Sequence, residues 1–172
     1  MKKEHLFDVK NLTMMGLLTA LEIILSRFCS FSAWNVKVGF AFLPVVLCAI
    51  MLGPLQAGLV GAMGDFIGAI LFPIGTYFPG FTATAFLTGL IFGIFLHKKQ
   101  SVPRILGAVA INQLAGTLLL NTFWISVLYG APYGALLTTR LLQVAILAPT
   151  QFVLIGTITK TLGRYSHRKA IA

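Results

Sequence analysis

Six apolar runs, each ended by glycine, proline or charge, take up nearly all of the chain between residues 12 and 162. A membrane-spanning helix needs about 17 to 25 mostly apolar residues, and within lipid the backbone has to satisfy its own hydrogen bonds. The expected fold is therefore an all-α membrane protein with six transmembrane helices, at 12–32, 41–53, 54–72, 81–97, 104–129 and 136–162, in one domain over residues 1–172. With 58% hydrophobic and 10% charged residues, the chain is too apolar for a water-soluble domain of this length. The stretch 41–72 is long enough for a single helix, but Gly53-Pro54 divides it: glycine suits a helix stop and proline a first turn. The second span is then short. Pro44 favours a start near itself and Gly53 ends it, which leaves about ten residues or about 15 Å of helix.

A net charge of +9 would suggest nucleic acid in a soluble chain, but here the charges are confined to places where they orient the bundle. Ten of the thirteen Lys and Arg residues lie at the chain ends or in one short loop: Lys2, Lys3 and Lys10, then Lys98, Lys99 and Arg104, then Lys160, Arg164, Arg168 and Lys169. Six spans bring all ten to one side, the cytoplasmic one by the positive-inside rule; five would scatter them. The expectation is a multi-pass protein of the cell membrane with both termini in the cytoplasm and no nucleic-acid partner. Residues 1–11 lead into the first run without a small-residue cleavage site, so no removable signal peptide is expected. Cys29 and Cys48 have no His or acidic partner at ligand spacing and read as isolated apolar thiols, without a metal site.

The three remaining cations, Arg27, Lys37 and Arg140, fall together at the opposite, outer side, where the connections 30–40, 73–80 and 130–135 lie. Three cations at one mouth attract anions, and arginine suits bidentate recognition of carboxylate or phosphate; snorkelling to headgroups is the alternative for Arg27 and Lys37. Residues 32–40 are expected to fold over the outer end of the bundle, with a weak strand signal in the alternation of Val36, Val38 and Phe40. Two carboxylates lie at membrane depth, Glu22 and Asp65, where each needs a partner or a task. Asp65 is the candidate to accept hydrogen bonds from a heterocycle's adjacent N–H groups; pairing with Arg27 or Arg140 is the competing role for either acid.

Rings gather at the same side. Phe28, Phe31, Trp34 and Phe40 surround the first outer loop, Tyr77, Phe78 and Phe81 the second, and Trp124 and Tyr129 the third. Interfacial belts account for some of these, but Gly75-Thr76-Tyr77-Phe78-Pro79-Gly80-Phe81 sets three rings among two glycines and a proline, as a stacking loop for a flat ligand would. Asn121 and Thr122 lie near this mouth and are candidates for a polar ligand edge, with hydrogen bonding between helices as the competing role. Asn112, Gln113, Gln143 and Gln151 are assigned to hydrogen bonding between helices. Of the small-residue pairs at four-residue spacing, Gly64/Gly68, Gly58/Ala62 and Gly89/Gly93 read as internal seams and Gly16/Ala20 as a seam for an outside partner. No phosphate loop, zinc-protease or nucleophile-elbow motif is present, and His5, His97 and His167 lie at cytoplasmic helix ends. The chain is not expected to be an enzyme, to hydrolyse nucleotide or to carry a cofactor.

Residues 36–44 (VKVGFAFLP), Gly53-Pro54, 64–73 (GDFIGAILFP) and 77–82 (YFPGFT) resemble the substrate-binding S components of energy-coupling factor (ECF) vitamin transporters, and within them the folate-specific branch. Phe78-Pro79-Gly80-Phe81-Thr82 is the most folate-like string; the Gly-Pro and Asp positions look shared with pantothenate and queuosine-precursor relatives. The resemblance implies an outward pocket capped by outer loops. It also implies docking on a transmembrane coupling subunit, EcfT, driven by two ATPases, with Gly16 and Ala20 where the family has Ala-x-x-x-Ala. The residues themselves suit folate, with rings and an acid for the pterin and Arg or Lys for the glutamyl tail, whereas pantothenate offers no ring. Two readings of other classes stay open at this level: a small proton-coupled transporter cycling a proton on Asp65 or Glu22, and an intramembrane enzyme using the two as an acid pair.

Overall fold

A computed structural model describes residues 8–33 and 36–169. Helix α1 (Val9–Arg27) leads into a hairpin of β1 (Ser30–Ala33) and β2 (Val36–Gly39), followed by α2 (Phe42–Met51), α3 (Pro54–Leu71), α4 (Pro79–Leu96), α5 (Val102–Tyr129) and α6 (Tyr133–Lys169). Among the described residues, five helices are long and apolar enough to cross a membrane, and α2 is the short sixth.

The punctuation works as its chemistry requires. Gly53 adopts φ 115°, a conformation that side-chain-bearing residues resist, and Pro54 opens α3 at the first turn, where its missing N–H costs nothing. Gly130, at φ 63°, ends α5 in the left-handed conformation. Phe78 is extended before Pro79, the first residue of α4.

The core occupies the half of the bundle nearest the α4–α5 connection. Val46, Cys48 and Ala49 of α2, Ala57 and Val60 of α3, Phe92 and Leu96 of α4, Ala108 of α5 and Ile155 of α6 are fully buried there. Close approach of α3 and α4 holds this half together: a side chain at Gly89 would run into the Ala57 backbone, and one at Gly93 into Pro54. At the opposite end α2 is missing, because ten residues make only about 15 Å of helix. The hairpin stands in that sector, pairing Ser30 with Gly39, Phe31 with Val38, Ser32 with Lys37 and Ala33 with Val36. Gly39 is needed for this pairing, since a Cβ there would lie 2.5 Å from that of Ser30.

Two boundaries differ from expectation. The first span was expected to run to residue 32, but α1 ends at Arg27 and residues 30–33 pair as a strand. These residues are helix-compatible by composition, and only the ladder with β2 decides otherwise. The sixth helix begins at Tyr133 and passes through Pro149. A third feature has no counterpart in the sequence reading: Asn112–Asn121 in the middle of α5 winds as a π-helix.

Candidate functional site

The sector left open by the short α2 holds a cavity of about 460 Å³, within the size range of small-molecule sites. All six helices contribute to its wall. Helix α1 presents Glu22, Ser26 and Arg27, α3 presents Gly61, Asp65 and Ala69, and α4 presents Phe81, Thr84, Ala85 and Thr88. Gln113, Thr117, Asn121, Ile125 and Tyr129 come from α5, and Arg140, Gln143, Leu147 and Gln151 from α6. Phe42 and Val45 of α2 and the connection from Ile74 to Phe78 complete it.

The π-helical stretch explains how α5 supplies five wall residues at four-residue spacing. An α-helix makes a turn in 3.6 residues and a π-helix in more than four, so residues four apart drift around the axis in opposite senses in the two. Gln113, Thr117 and Asn121 drift one way through the wide turns; Ile125 and Tyr129, on ordinary α-helix, drift back. One face is kept along the whole depth of the cavity.

Glycines on α3 make room for polar side chains of α1. A Cβ at Gly64 would collide with the Glu22 carboxylate, and one at Gly68 would lie 2.9 Å from Arg27 Nε. The expected internal seam Gly64/Gly68 thus receives an acid and a base as well as a neighbouring helix. Arg27 donates through Nη2 to the backbone carbonyl of Asp65 at 3.4 Å. The Asp65 carboxylate itself accepts a hydrogen bond from Thr82 Oγ1 at 2.8 Å. Because that hydroxyl has one hydrogen, the Tyr77 phenol 3.3 Å away is left to donate to it, giving a chain Tyr77–Thr82–Asp65 along the wall.

The loop rings form an ordered group. Phe78 packs edge-on to Phe81 with centroids 6.2 Å apart and against Trp124 at 5.5 Å. Trp124 donates from Nε1 to Thr84 Oγ1 at 3.1 Å, and Gly80 permits the contact, since a Cβ there would come within 2.5 Å of the indole. Tyr77 meets Phe66 at 5.7 Å.

Of the residues singled out from sequence, Arg27, Asp65, Gly75, Tyr77, Phe78, Phe81, Asn121 and Arg140 line one cavity. Trp124 stands behind the wall as a buttress to Phe78, and Phe40 is half exposed at the rim. Trp34 lies outside the described residues, as does the side chain of Lys37, whose backbone pairs in β2. Gly16 and Ala20 are on the outer surface, and a Cβ at Gly16 meets nothing within 4 Å. The glutamines add polar side chains to the wall that were not among the sequence candidates for it. Gln113, Gln143 and Gln151 were assigned to contacts between helices, yet all three line the cavity, whereas Asn112 does bond across, to the Thr88 carbonyl at 3.5 Å. The available signal was periodicity: Arg140, Gln143, Leu147 and Gln151 recur at helical spacing on one stripe of α6.

Residues 10–162 match the family described as "ECF transporter, substrate-specific component". The chain belongs to this family. Among curated relatives of this ECF component, the folate transporter FolT of Clostridium novyi (strain NT) is 40% identical over 159 residues, 92% of each chain. FolT of Leuconostoc mesenteroides subsp. mesenteroides is 32% identical over 151 residues, covering 84% of this chain and 81% of its own. Among solved structures, FolT bound with folic acid superposes with a TM-score of 0.85 at 32% identity, covering 90% of this chain and 95% of that one. The S component for biotin from an ECF-type ABC transporter, at TM-score 0.63 and 20% identity over 88% and 92% of the two chains, shares the fold.

Proposed function

We propose that this ECF substrate-specific component captures folate outside the cell and delivers it inward with an energizing module. The observation that carries the reading is one cavity in which a ring-bearing loop, an acid held by Thr82 and two arginines converge. A pterin offers a flat ring and a run of N–H donors, the benzoyl group a second ring, and the glutamyl tail two carboxylates. Arg27, Lys37 and Arg140 are the residues proposed for the tail. Phe78, Phe81 and Tyr77, supported by Trp124, are proposed for the rings, with Phe40 at the rim, Gly75 in the loop and Trp34 as a further ring contact. Asp65 and Asn121 are proposed for polar ring atoms. The likeness to FolT proteins over nearly the whole chain supports the same ligand.

Lys10, Lys98, Lys99 and Arg104 lie at or beside helix ends opposite the hairpin and the cavity mouth, and Lys160 lies in the last third of α6 on that side, which supports cytoplasmic termini and an outward pocket. The exposed Gly16/Ala20 face of α1 supports docking on the coupling subunit, with two ATPases supplying the energy. The chain binds and reorients and does not transform its ligand.

The test is equilibrium binding of radiolabelled folic acid to the purified chain in detergent, competed with pantothenate and biotin. One-to-one binding that only folates displace is the expected result. Equal displacement by pantothenate or biotin, or no binding, would refute the assignment.

A further inference from the structure

Helix α5 is held firmly at two places and loosely between them. Its inner half enters the apolar core through Ile105, Ala108 and Val109. Its outer half is tied to α4 by the Trp124–Thr84 hydrogen bond at 3.1 Å. The ten π-helical residues between, Asn112–Asn121, contribute no side chain to that core cluster; instead Gln113, Thr117 and Asn121 line the cavity. Two side-chain hydrogen bonds flank the stretch, Asn112 Nδ2 to the Thr88 carbonyl and Thr122 Oγ1 to the Thr117 carbonyl, and both are long at 3.5 Å.

Gly116 stands at the centre of this stretch. Among the described residues, every other buried helical glycine would place a Cβ less than 3.0 Å from a neighbouring atom, as Gly61, Gly64 and Gly89 do. At Gly116 the nearest atoms, on Thr88 and Thr84, are 3.6 and 3.7 Å away, an ordinary contact. Packing therefore does not demand glycine there. What glycine supplies is a backbone that unwinds about fivefold more readily than alanine, within wide turns that are themselves a place where helices bend.

We propose that Asn112–Asn121 is the yielding segment of the cavity wall, and that its local unwinding about Gly116 sets how fast a ligand enters and leaves. With both ends of α5 anchored, unwinding between them moves Gln113, Thr117 and Asn121 off the ligand without dismantling the bundle. Segments of low local stability open in this way while the rest of a protein stays folded. A ligand that must pass through the opened form is slowed on both legs when opening becomes rarer. Its affinity is preserved, because the closed form is stabilised equally whether empty or occupied.

The inference rests on the folate reading for its probe, radiolabelled folic acid, and is tested on the full-length chain in detergent with Gly116→Ala and Ala115→Gly. Neither residue lines the cavity. Gly116→Ala is predicted to slow association and dissociation of folic acid about fivefold each, and to slow amide hydrogen exchange across residues 112–121 by about the same factor, with exchange in residues 103–109 unchanged. Ala115→Gly is predicted to speed all three to a similar extent. In both variants the Kd stays within about twofold of the unaltered chain, a result that altered ligand contacts would not give. If one variant does not elute as a single species, the other carries the comparison. Unchanged rates in a folded variant, or a changed Kd with association unaltered, would overturn the proposal and leave the folate reading standing. Failure of the unaltered chain to bind folic acid overturns both.

Discussion

At the level of single residues, the cavity wall departs most from what apolar spans would supply. Arg140 is 5% exposed within a membrane-spanning helix, and burying an arginine there is costly unless it is paired or bound to something. Its assignment to a carboxylate predicts a selective effect. Arg140→Ala should weaken folic acid at least about tenfold, as loss of a charge-assisted contact does, while pteroic acid, which lacks the glutamyl tail, should lose much less. Equal losses for both ligands, measured by equilibrium binding, would remove Arg140 from the tail site. This residue was legible in the sequence because a lone arginine in an apolar run stands out. Gln113 and Gln151 were not, because an amide in a transmembrane helix serves helix contacts and ligand contacts equally well. Only the structure places both side chains in the cavity wall.

Among the elements, the short α2 has the largest consequence, and its brevity follows from Pro44, Gly53 and Pro54 together. The hairpin was half legible: the alternation in residues 36–40 signals β2, but the partner strand at 30–33 reads as the end of α1 until the two are paired. The π-helical part of α5 left no mark in the sequence, since its residues are compatible with ordinary helix and its width is set by neighbours. Helix α1 has two distinct faces. Glu22 and Arg27 turn inward onto the α3 glycines, while Gly16 and Ala20 face outward. Gly16→Leu and Ala20→Leu are accordingly predicted to leave folic acid binding within about twofold of the unaltered chain, because neither touches the cavity wall. In cells or vesicles containing the energizing module, both should lower ATP-driven folate uptake severalfold. Unchanged uptake would refute the docking role of this face.

Across the whole molecule, the bundle is closed at one end by small-residue packing of α2, α3 and α4 and open at the other around a polar, ring-lined hollow. The number of helices and the Gly53-Pro54 break were readable from the chain because each depends on local composition. The hollow was readable only as a gathering of unusual residues, because its volume comes from the absence of helix above α2. On the proposed function, this hollow opens outside the cell and is where folate binds. Thr76 is exposed on the connection at its mouth, so Thr76→Cys, made with Cys29→Ser to remove the exposed native thiol while Cys48 stays buried, reports on both parts at once. A membrane-impermeant maleimide is predicted to label Cys at position 76 in intact cells, and saturating folic acid is predicted to block that labelling. Labelling that requires permeabilised cells, or that proceeds undiminished with folic acid bound, would contradict the account.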